Sequence, residues 1–433
     1  MAPRSPPRQR IVRAHTAVSA ARRFRGQSRR RDRPAHGGPA ARARRGEAAV
    51  PQRDAADGAG RSASAPHAGV RGRRGGSRAV DGIARFGDGP MTGGDTAEDV
   101  GAVAIGRNEG ARLARCLESL RGRAQRIVYV DSGSTDGSVE AARSAGADVV
   151  ALDTDRSFTA ARARNAGLAA LCESDAGGRL AYVQFVDGDC EIAPGWIEAA
   201  RRRLEEDPCA AVVCGRRAER FPEQSIYNRL CDMEWNTPVG QATACGGDAL
   251  MRIDAVRAVG GFDATLIAGE EPDLCLRLRA AGWTVWRIDA PMTRHDAAMT
   301  RFGQWWRRAV RGGWAYAEGS DRHGDGPERY KRRDLRSVLI WGGTAPALGV
   351  AGALLAPLVP AAIAVTAIVA AAEAAMALRI AARRVARFGD PWPHAVLYGG
   401  FTMLGKLPQL VGVMRYHSHR RRSAGPARLI EYK

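Results

Sequence analysis

None of the eight cysteines stands in a C-x-x-C pair, which argues against the common zinc-binding arrangements. They are scattered from Cys116 to Cys275, several in apolar surroundings, and read as small buried hydrophobes in a reducing compartment. Residues 1–90 hold 21 Arg but no Lys and few acids. This stretch also lacks apolar periodicity, so it cannot bury enough surface to offset the entropy of ordering, and disorder is expected over residues 1–95. With no central apolar run, a signal peptide is not expected. Three readings remain for this tail: an RNA- or membrane-binding arm, a targeting segment, or sequence lying ahead of a start at Met91. Most of the formal charge of +20 belongs to the tail, so no specific nucleic-acid partner is expected for the body. Histidine is scarce as well: between residues 101 and 330 there are only His295 and His323.

From Val103 onward, short apolar runs alternate with amphipathic segments. Strands are expected at Val103–Ile105, Ile127–Val130, Val149–Leu152, Tyr182–Val186 and Ala211–Cys214. Helices are expected at Glu109–Leu120, around Val139–Ala145, at Ala160–Leu171 and at Gly195–Glu206. Ser134, Thr135 and Asp136 offer capping chemistry to the second helix and Thr159 to the third. This alternation predicts an α/β fold, a mostly parallel sheet with helices on both faces. After Phe221 the rhythm changes, and a helix-rich second half built onto the sheet is expected. Phe302–Ala317 is aromatic and basic, and reads as a helix lying flat at lipid headgroups.

Val338 to Leu378 is 41 residues with neither Lys nor Arg and with Glu373 as its only charge. At ~1.5 Å per residue it would reach about 60 Å, twice a bilayer core. Pro357 and Pro360 fall near its middle, so a helical hairpin of about 338–357 and 361–378 is expected. Basic residues flank both ends, which places both on the cytoplasmic side of an inner membrane. The apolar stretch 395–414 contains Lys406 and Pro408 and reads as an interfacial or third helix, followed by a basic cytoplasmic tail at 416–433.

The chemistry concentrates at Asp187-Gly188-Asp189, two carboxylates at the end of an apolar strand. Ligands of open α/β sheets bind at that rim, and hard oxygen ligands there suit Mg²⁺ or Mn²⁺. Four further segments accompany the pair. Asn108-Glu109 follows the first strand. Asp131 ends the second, where a carboxylate can accept from a base or ribose. Arg164-Asn165 lies in a helix whose start offers cations for a pyrophosphate. Glu270, Glu271 and Asp273 open a later helix.

In this order (N-E, V-D-S-G-S-T-D-G-S, A-R-N-x-G, D-x-D, E-E-x-D-L-x-x-R) the segments resemble the family 2 glycosyltransferases, inverting enzymes of the GT-A fold, over about residues 101–315. The resemblance implies a GT-A domain over 101–330, followed by membrane-associated helices over 336–415. It implies a nucleotide-sugar donor bound by Asn108, Glu109, Asp131, Arg164, Asn165 and Asp187. It implies a metal on Asp189, with His295 able to complete the shell. It implies a catalytic base among Glu271, Glu270 and Asp273, with Glu271 at the family's position, and an acceptor side near Gly246 and Gly247. Gln304-Trp305-Trp306-Arg307-Arg308 is similar to the Q-x-x-R-W of processive members, but Arg308 replaces the final Trp and argues against processive synthesis. The expected partners are the donor, a glycan or lipid-linked acceptor, and membrane lipid. A sugar nucleotidyltransferase would instead need a basic Gly-rich loop where Asn108-Glu109 stand. A membrane-tethered nucleic-acid binder would need the Arg-rich tail.

Overall fold

The computed structural model describes residues 97–422 other than 154, 157 and 176. The expected disordered tail at 1–95, and residues 423–433 of the basic tail, lie outside the described residues.

Among the described residues nine strands form one sheet: β1 (Ala97–Gly106), β2 (Ala124–Asp131), β3 (Asp148–Ala151), β4 (Tyr182–Asp187), β5 (Cys190–Ile192), β6 (Ala210–Glu219), β7 (Gly240–Gln241), β8 (Ala249–Arg252) and β9 (Thr284–His295). Their order is β3-β2-β1-β4-β8-β6-β9-β5, with β7 paired to β9. The pairings make β1, β2, β3, β4, β6 and β9 run one way and β5, β7 and β8 the other. This is a mixed, mostly parallel sheet, as the strand–helix alternation predicts. Its central strands carry runs of apolar residues, as a sheet covered on both faces requires: Val103, Val128, Phe185 and Val213 are fully buried.

Helices α1 (Ala111–Leu120), α2 (Ser138–Ser144), α3 (Ala160–Glu173), α4 (Trp196–Glu206), α5 (Ile226–Trp235), α6 (Ile253–Ala258) and α7 (Glu270–Ala280) accompany the sheet. In α1, Leu113, Cys116, Leu117 and Leu120 are buried at the spacing that keeps side chains on one helix face. Thr159 caps α3, its hydroxyl accepting from Arg162 N at 3.1 Å. The second half corrects the expectation of helices added to a finished sheet. Strands β6, β8 and β9 belong to the same sheet, and antiparallel β8 is inserted between β4 and β6. Short runs such as Ala249–Arg252 carry too little periodicity to separate strand from helix.

Helix α8 (Phe302–His323) leads to the C-terminal helices. Next come α9 (Arg332–Val338), a π-helical turn at Leu339–Thr344, α10 (Ala345–Leu355), a 3₁₀ turn at Pro360–Ala362, and α11 (Ile363–Phe388). The hairpin thus exists, with its turn at the two prolines. Its helices Arg332–Leu355 and Pro360–Phe388 are long and apolar enough to cross a membrane. Its outer surface is exposed: Leu354, Leu358 and Ile368 are 73, 80 and 67 % exposed. The stretch 395–414 is not a single helix. It breaks at Gly405 into α12 (Trp392–Leu404) and α13 (Lys406–Arg421), and neither joins the two hairpin helices in being long and apolar enough to span. Helix α8 also departs from the expected surface placement. Trp305, Val310, Trp314 and Ala317 are buried. A Cβ added at Gly313 would lie 1.9 Å from the Gln409 carbonyl, and one at Gly412 2.0 Å from that of Val310. The α8 and α13 backbones therefore touch, and glycines at the crossing make this possible.

Candidate active site

Register places the acids. Parallel pairing sets Gly106 of β1 beside Asp131 of β2 and Ile105 beside Asp187 of β4. The carboxyl ends of three strands thus form one rim. The chain then turns through Gly188 into β5, whose antiparallel pairing with β9 sets Cys190 beside His295. β6 sets Glu219 beside His295 from the other side. Sequence reading does not find β5, which is only three residues long, yet it brings the metal candidates together. Asp189 Oδ2 lies 3.3 Å from His295 Nε2, and both side chains are buried.

Asp189, His295 and Cys190 present ligand atoms within 4.8 Å of one another. A carboxylate and an imidazole in one buried corner fit a divalent ion such as Mn²⁺ or Mg²⁺, with substrate oxygens completing the shell. His295 is held from behind. Its Nδ1 lies 3.6 Å from Glu219 Oε2 and makes no hydrogen bond within the usual limit. Its ring meets that of Trp235 edge-on, 4.6 Å between centroids. Glu219 is itself fixed, accepting from Ala297 N at 3.1 Å and from Phe221 N at 3.2 Å. Such a second layer sets the orientation of a ligating imidazole.

Arg164 lies at the bottom of the site, its side chain 2 % exposed. Nη2 donates to Asp187 Oδ1 at 2.9 Å, and Nη1 lies 3.1 Å from both Glu270 and Glu271. One buried guanidinium thus holds three carboxylates that would otherwise repel each other, and these carboxylates hold it firmly protonated. This corrects the expectation of a cation offered to a pyrophosphate. Burial first, then the Glu270 charge, push Glu271 up to about 7 against the pull of Arg164. A carboxyl titrating there can take a proton near neutrality.

Asp273 is turned elsewhere: it accepts from Arg277 Nε at 2.9 Å and lies 2.7 Å from His323 Nε2. Two residues on from Glu271, it lies on a different side of the helix from that acid, and of the three acids only Glu270 and Glu271 line the cavity. Asn165 also faces away. Its amide clamps the Phe262 backbone, donating to the carbonyl at 2.7 Å and accepting from N–H at 2.9 Å.

At the nucleotide end, Asn108 has φ 54, a conformation Asn tolerates better than most residues. Ser134 and Thr135 hold it there rather than capping α2. Asn108 N donates to Ser134 Oγ at 2.9 Å, and Thr135 N donates to Asn108 Oδ1 at 2.8 Å. The residue ahead of α2 is Gly137, which offers no side chain, but Asp136, the third of the expected capping residues, accepts from Ser138 N at 3.1 Å at the start of the helix. Asp131 accepts from Gly133 N and Ser134 N, both at 2.9 Å, and from the Tyr129 hydroxyl at 3.1 Å. Its carboxylate shapes the turn, and Ser132 lines the cavity beside it. Glu109 pairs with Arg112 at 2.8 Å and lines the same wall.

Two residues, buried Asp248 and part-buried Arg217, escape sequence reading. Asp248 accepts from Asp187 N at 3.0 Å and from the Thr293 hydroxyl at 2.7 Å, and lies 2.7 Å from Arg217 Nη2. Arg217 also reaches Asp187, at 3.6 Å. No motif marks Arg217. Asp248 directly follows Gly246-Gly247, the one available signal. Gly247 lies where any Cβ would come within 2.5 Å of Asp187 Oδ2 and 2.8 Å of Arg164 Nη2, while Gly246 stands off the cavity wall.

All this opens on a cavity of about 1080 Å³. Its lining includes the acids Asp187, Asp189, Glu270 and Glu271, and Trp305, Arg308, Tyr398, Phe401, Lys406 and Gln409 of α8, α12 and α13.

Residues 103–251 match the glycosyl transferase family 2 model. The pre-mycofactocin glycosyltransferase of Mycobacterium tuberculosis is 32 % identical over 245 residues, covering 54 % of this chain and 50 % of that protein. The succinoglycan biosynthesis protein ExoA of Rhizobium meliloti is 30 % identical over 202 residues, covering 42 % and 58 %. The chain thus spans about half the length of the curated relatives it matches. A mannosyltransferase from Pyrobaculum calidifontis, solved with GDP-Man and Mn²⁺, superposes with TM-score 0.45 at 21 % identity over 73 % of this chain and 87 % of that one. The matched segment contains the N-E, V-D-S-G-S-T-D-G-S, A-R-N-x-G and D-x-D motifs, and over these residues the chain is similar to the family 2 glycosyltransferases.

Proposed function

We propose that this protein is a membrane-attached, inverting glycosyltransferase that moves a sugar from a nucleotide-sugar to an acceptor hydroxyl. The observation that carries the reading is Glu271, a carboxyl raised to about 7, lining the same cavity as the Asp187, Asp189 and His295 group. Asn108 and Glu109 line the end assigned to the nucleotide, and Asp187 the ribose side. Asp189 and His295 would hold Mn²⁺ or Mg²⁺, which offsets the charge growing on the diphosphate as it leaves. Glu271 takes the proton from the acceptor hydroxyl as that oxygen attacks the anomeric carbon from the face opposite the leaving group. Arg164 keeps Glu270 from moving and stabilises ionised Glu271 against the low polarity around it. We assign the catalytic domain to 101–330 and the anchor to 336–415. The basic flanks of the hairpin favour a cytoplasmic catalytic face.

The test is a panel of nucleotide-sugars offered to the full chain with and without Mg²⁺ or Mn²⁺, following nucleoside diphosphate release. Release of pyrophosphate instead would indicate a nucleotidyltransferase. Full turnover in both Asp189→Ala and Glu271→Ala would overturn the assignment of roles.

A further inference from the structure

We propose that Cys245 and Cys275 form a dithiol that a peroxide converts to a disulfide, and that this bond slows glycosyl transfer by tying the loop ahead of β8 to α7. The proposal goes beyond the glycosyl-transfer reading, which supplies only one of its two readouts.

Both thiols are free, and their Sγ atoms lie 3.6 Å apart although the residues are 30 positions apart in the chain. Cys245 stands in the loop that leads into β8, and Cys275 on α7. Cys275 is fully buried and Cys245 is 7 % exposed, directly beside exposed Gly246. The pair therefore lies just beneath the surface, where a small peroxide has a short way to travel. A disulfide needs its sulfurs about 2.05 Å apart, so these must close by roughly 1.5 Å.

The contact with Cys245 holds the Cys275 thiol below its usual value. A thiol so lowered is more readily the thiolate, the form that attacks. The Cys275 sulfur attacks one peroxide oxygen. The O–O bond breaks, the sulfur becomes a sulfenic acid, and the other oxygen leaves as hydroxide, which takes up the thiol proton as water. The Cys245 sulfur then attacks that of Cys275. The S–S bond forms, the S–O bond breaks, and a second water leaves with the Cys245 proton. Two electrons have passed from the sulfurs to the peroxide. A thiol reductant reverses the bond by exchange.

The consequence follows from what each segment carries. Cys275 stands four residues after Glu271, one turn along the same face of α7. Cys245 is followed by Gly246, Gly247 and Asp248. Gly247 has no slack toward the site, since a Cβ there would lie 2.5 Å from Asp187 Oδ2 and 2.8 Å from Arg164 Nη2. Asp248 accepts from Asp187 N at 3.0 Å and from the Thr293 hydroxyl at 2.7 Å. A pull between the two sulfurs therefore acts on both sides of the carboxylate array and shifts Glu271 against Asp187. A displacement of about 1 Å at reacting groups costs on the order of 10²-fold in rate. While the thiols stay reduced they only pack, and the array keeps its geometry.

The experiment uses the full chain in nanodiscs, carrying Cys172→Ser and Cys209→Ser to remove the half-buried and the exposed thiol. It is treated with hydrogen peroxide, quenched, denatured and alkylated, and its peptides are weighed. Turnover is followed in parallel with the nucleotide-sugar that the panel identifies. A linked Cys245–Cys275 peptide pair, lighter by two hydrogens, is expected, with turnover down roughly tenfold or more and restored by dithiothreitol. Cys275→Ser and Cys245→Ala should keep their turnover in peroxide, with unchanged thermal unfolding as the check on folding; either variant suffices if the other fails to fold. Absence of the linkage, linkage of either cysteine to buried Cys214 instead, linkage with unaltered turnover, or an equal loss of turnover in a folded single variant overturns the proposal. Reversible linkage in a chain that turns over no nucleotide-sugar before oxidation leaves the dithiol standing and removes the transferase reading. Steady turnover in peroxide without linkage does the reverse.

Discussion

At the scale of single residues, Glu271 and Asp273 look alike in sequence and differ only in where α7 points them. Glu271→Gln should cut turnover by about 10²–10⁴-fold, the usual worth of a general base, with little change in donor affinity, read from steady-state kinetics. Asp273→Asn should keep most turnover but lower the unfolding temperature, because it weakens the contacts to Arg277 and His323. The pH profile follows from Glu271. A base must be ionised, and its carboxyl is raised to about 7. Turnover should therefore climb through pH ~7 from the acid side, and Glu271→Gln should flatten that limb. The sign for stability is opposite. The folded state holds this proton more tightly than the unfolded chain, so this group's share of stability is complete below pH ~4.3, the ordinary Glu value, and declines as pH rises through 7. Chelation should abolish turnover. His295→Ala should raise the Mn²⁺ needed for half-maximal rate, which titrating the ion back into chelated protein would measure. Arg164 gave the least legible signal: an arginine in a motif looks like a phosphate ligand, and only the tertiary structure shows it beneath three carboxylates.

At the scale of elements, the readable parts were those with strong local periodicity. Strands β1 to β4 and helices α1 and α3 were visible because each repeats its apolar pattern over enough residues to leave one interpretation. Strands β5 and β7 were not, since two or three residues have no period, and their existence depends on β9 lying alongside. Helix α8 misled for a related reason. Tryptophan beside arginine suits a lipid interface, but it also suits a helix buried against α12 and α13 with its cations on a cavity wall. The glycines at the α8–α13 crossing were the missing clue. Gly412→Leu should force the helices apart and destabilise by about 1–3 kcal/mol or more, the usual cost of overpacking. Denaturant unfolding should show it, and limited proteolysis should then cut the 405–421 region faster than in the parent chain.

At the scale of the whole molecule, a mixed sheet, its acidic rim and an apolar hairpin share one chain, and one cavity runs from the rim to the helices packed on the hairpin. The full chain should remain with membranes through high-salt washing, since apolar burial is not screened by salt. Leu354→Lys and Ile368→Lys, at two largely exposed positions, should weaken that association, as fractionation would show. The sequence alone determined the α/β order, the pair Asp187 and Asp189, the candidate base on α7 and the hairpin, because each is written in local spacing and composition. Only the tertiary structure decided that His295 meets Asp189, that Arg217 and Asp248 support Asp187, and that Asp273 and Asn165 face away from the site. Those outcomes depend on strand register and helix rotation, which are set by contacts between residues tens of positions apart and leave no periodic trace along the chain.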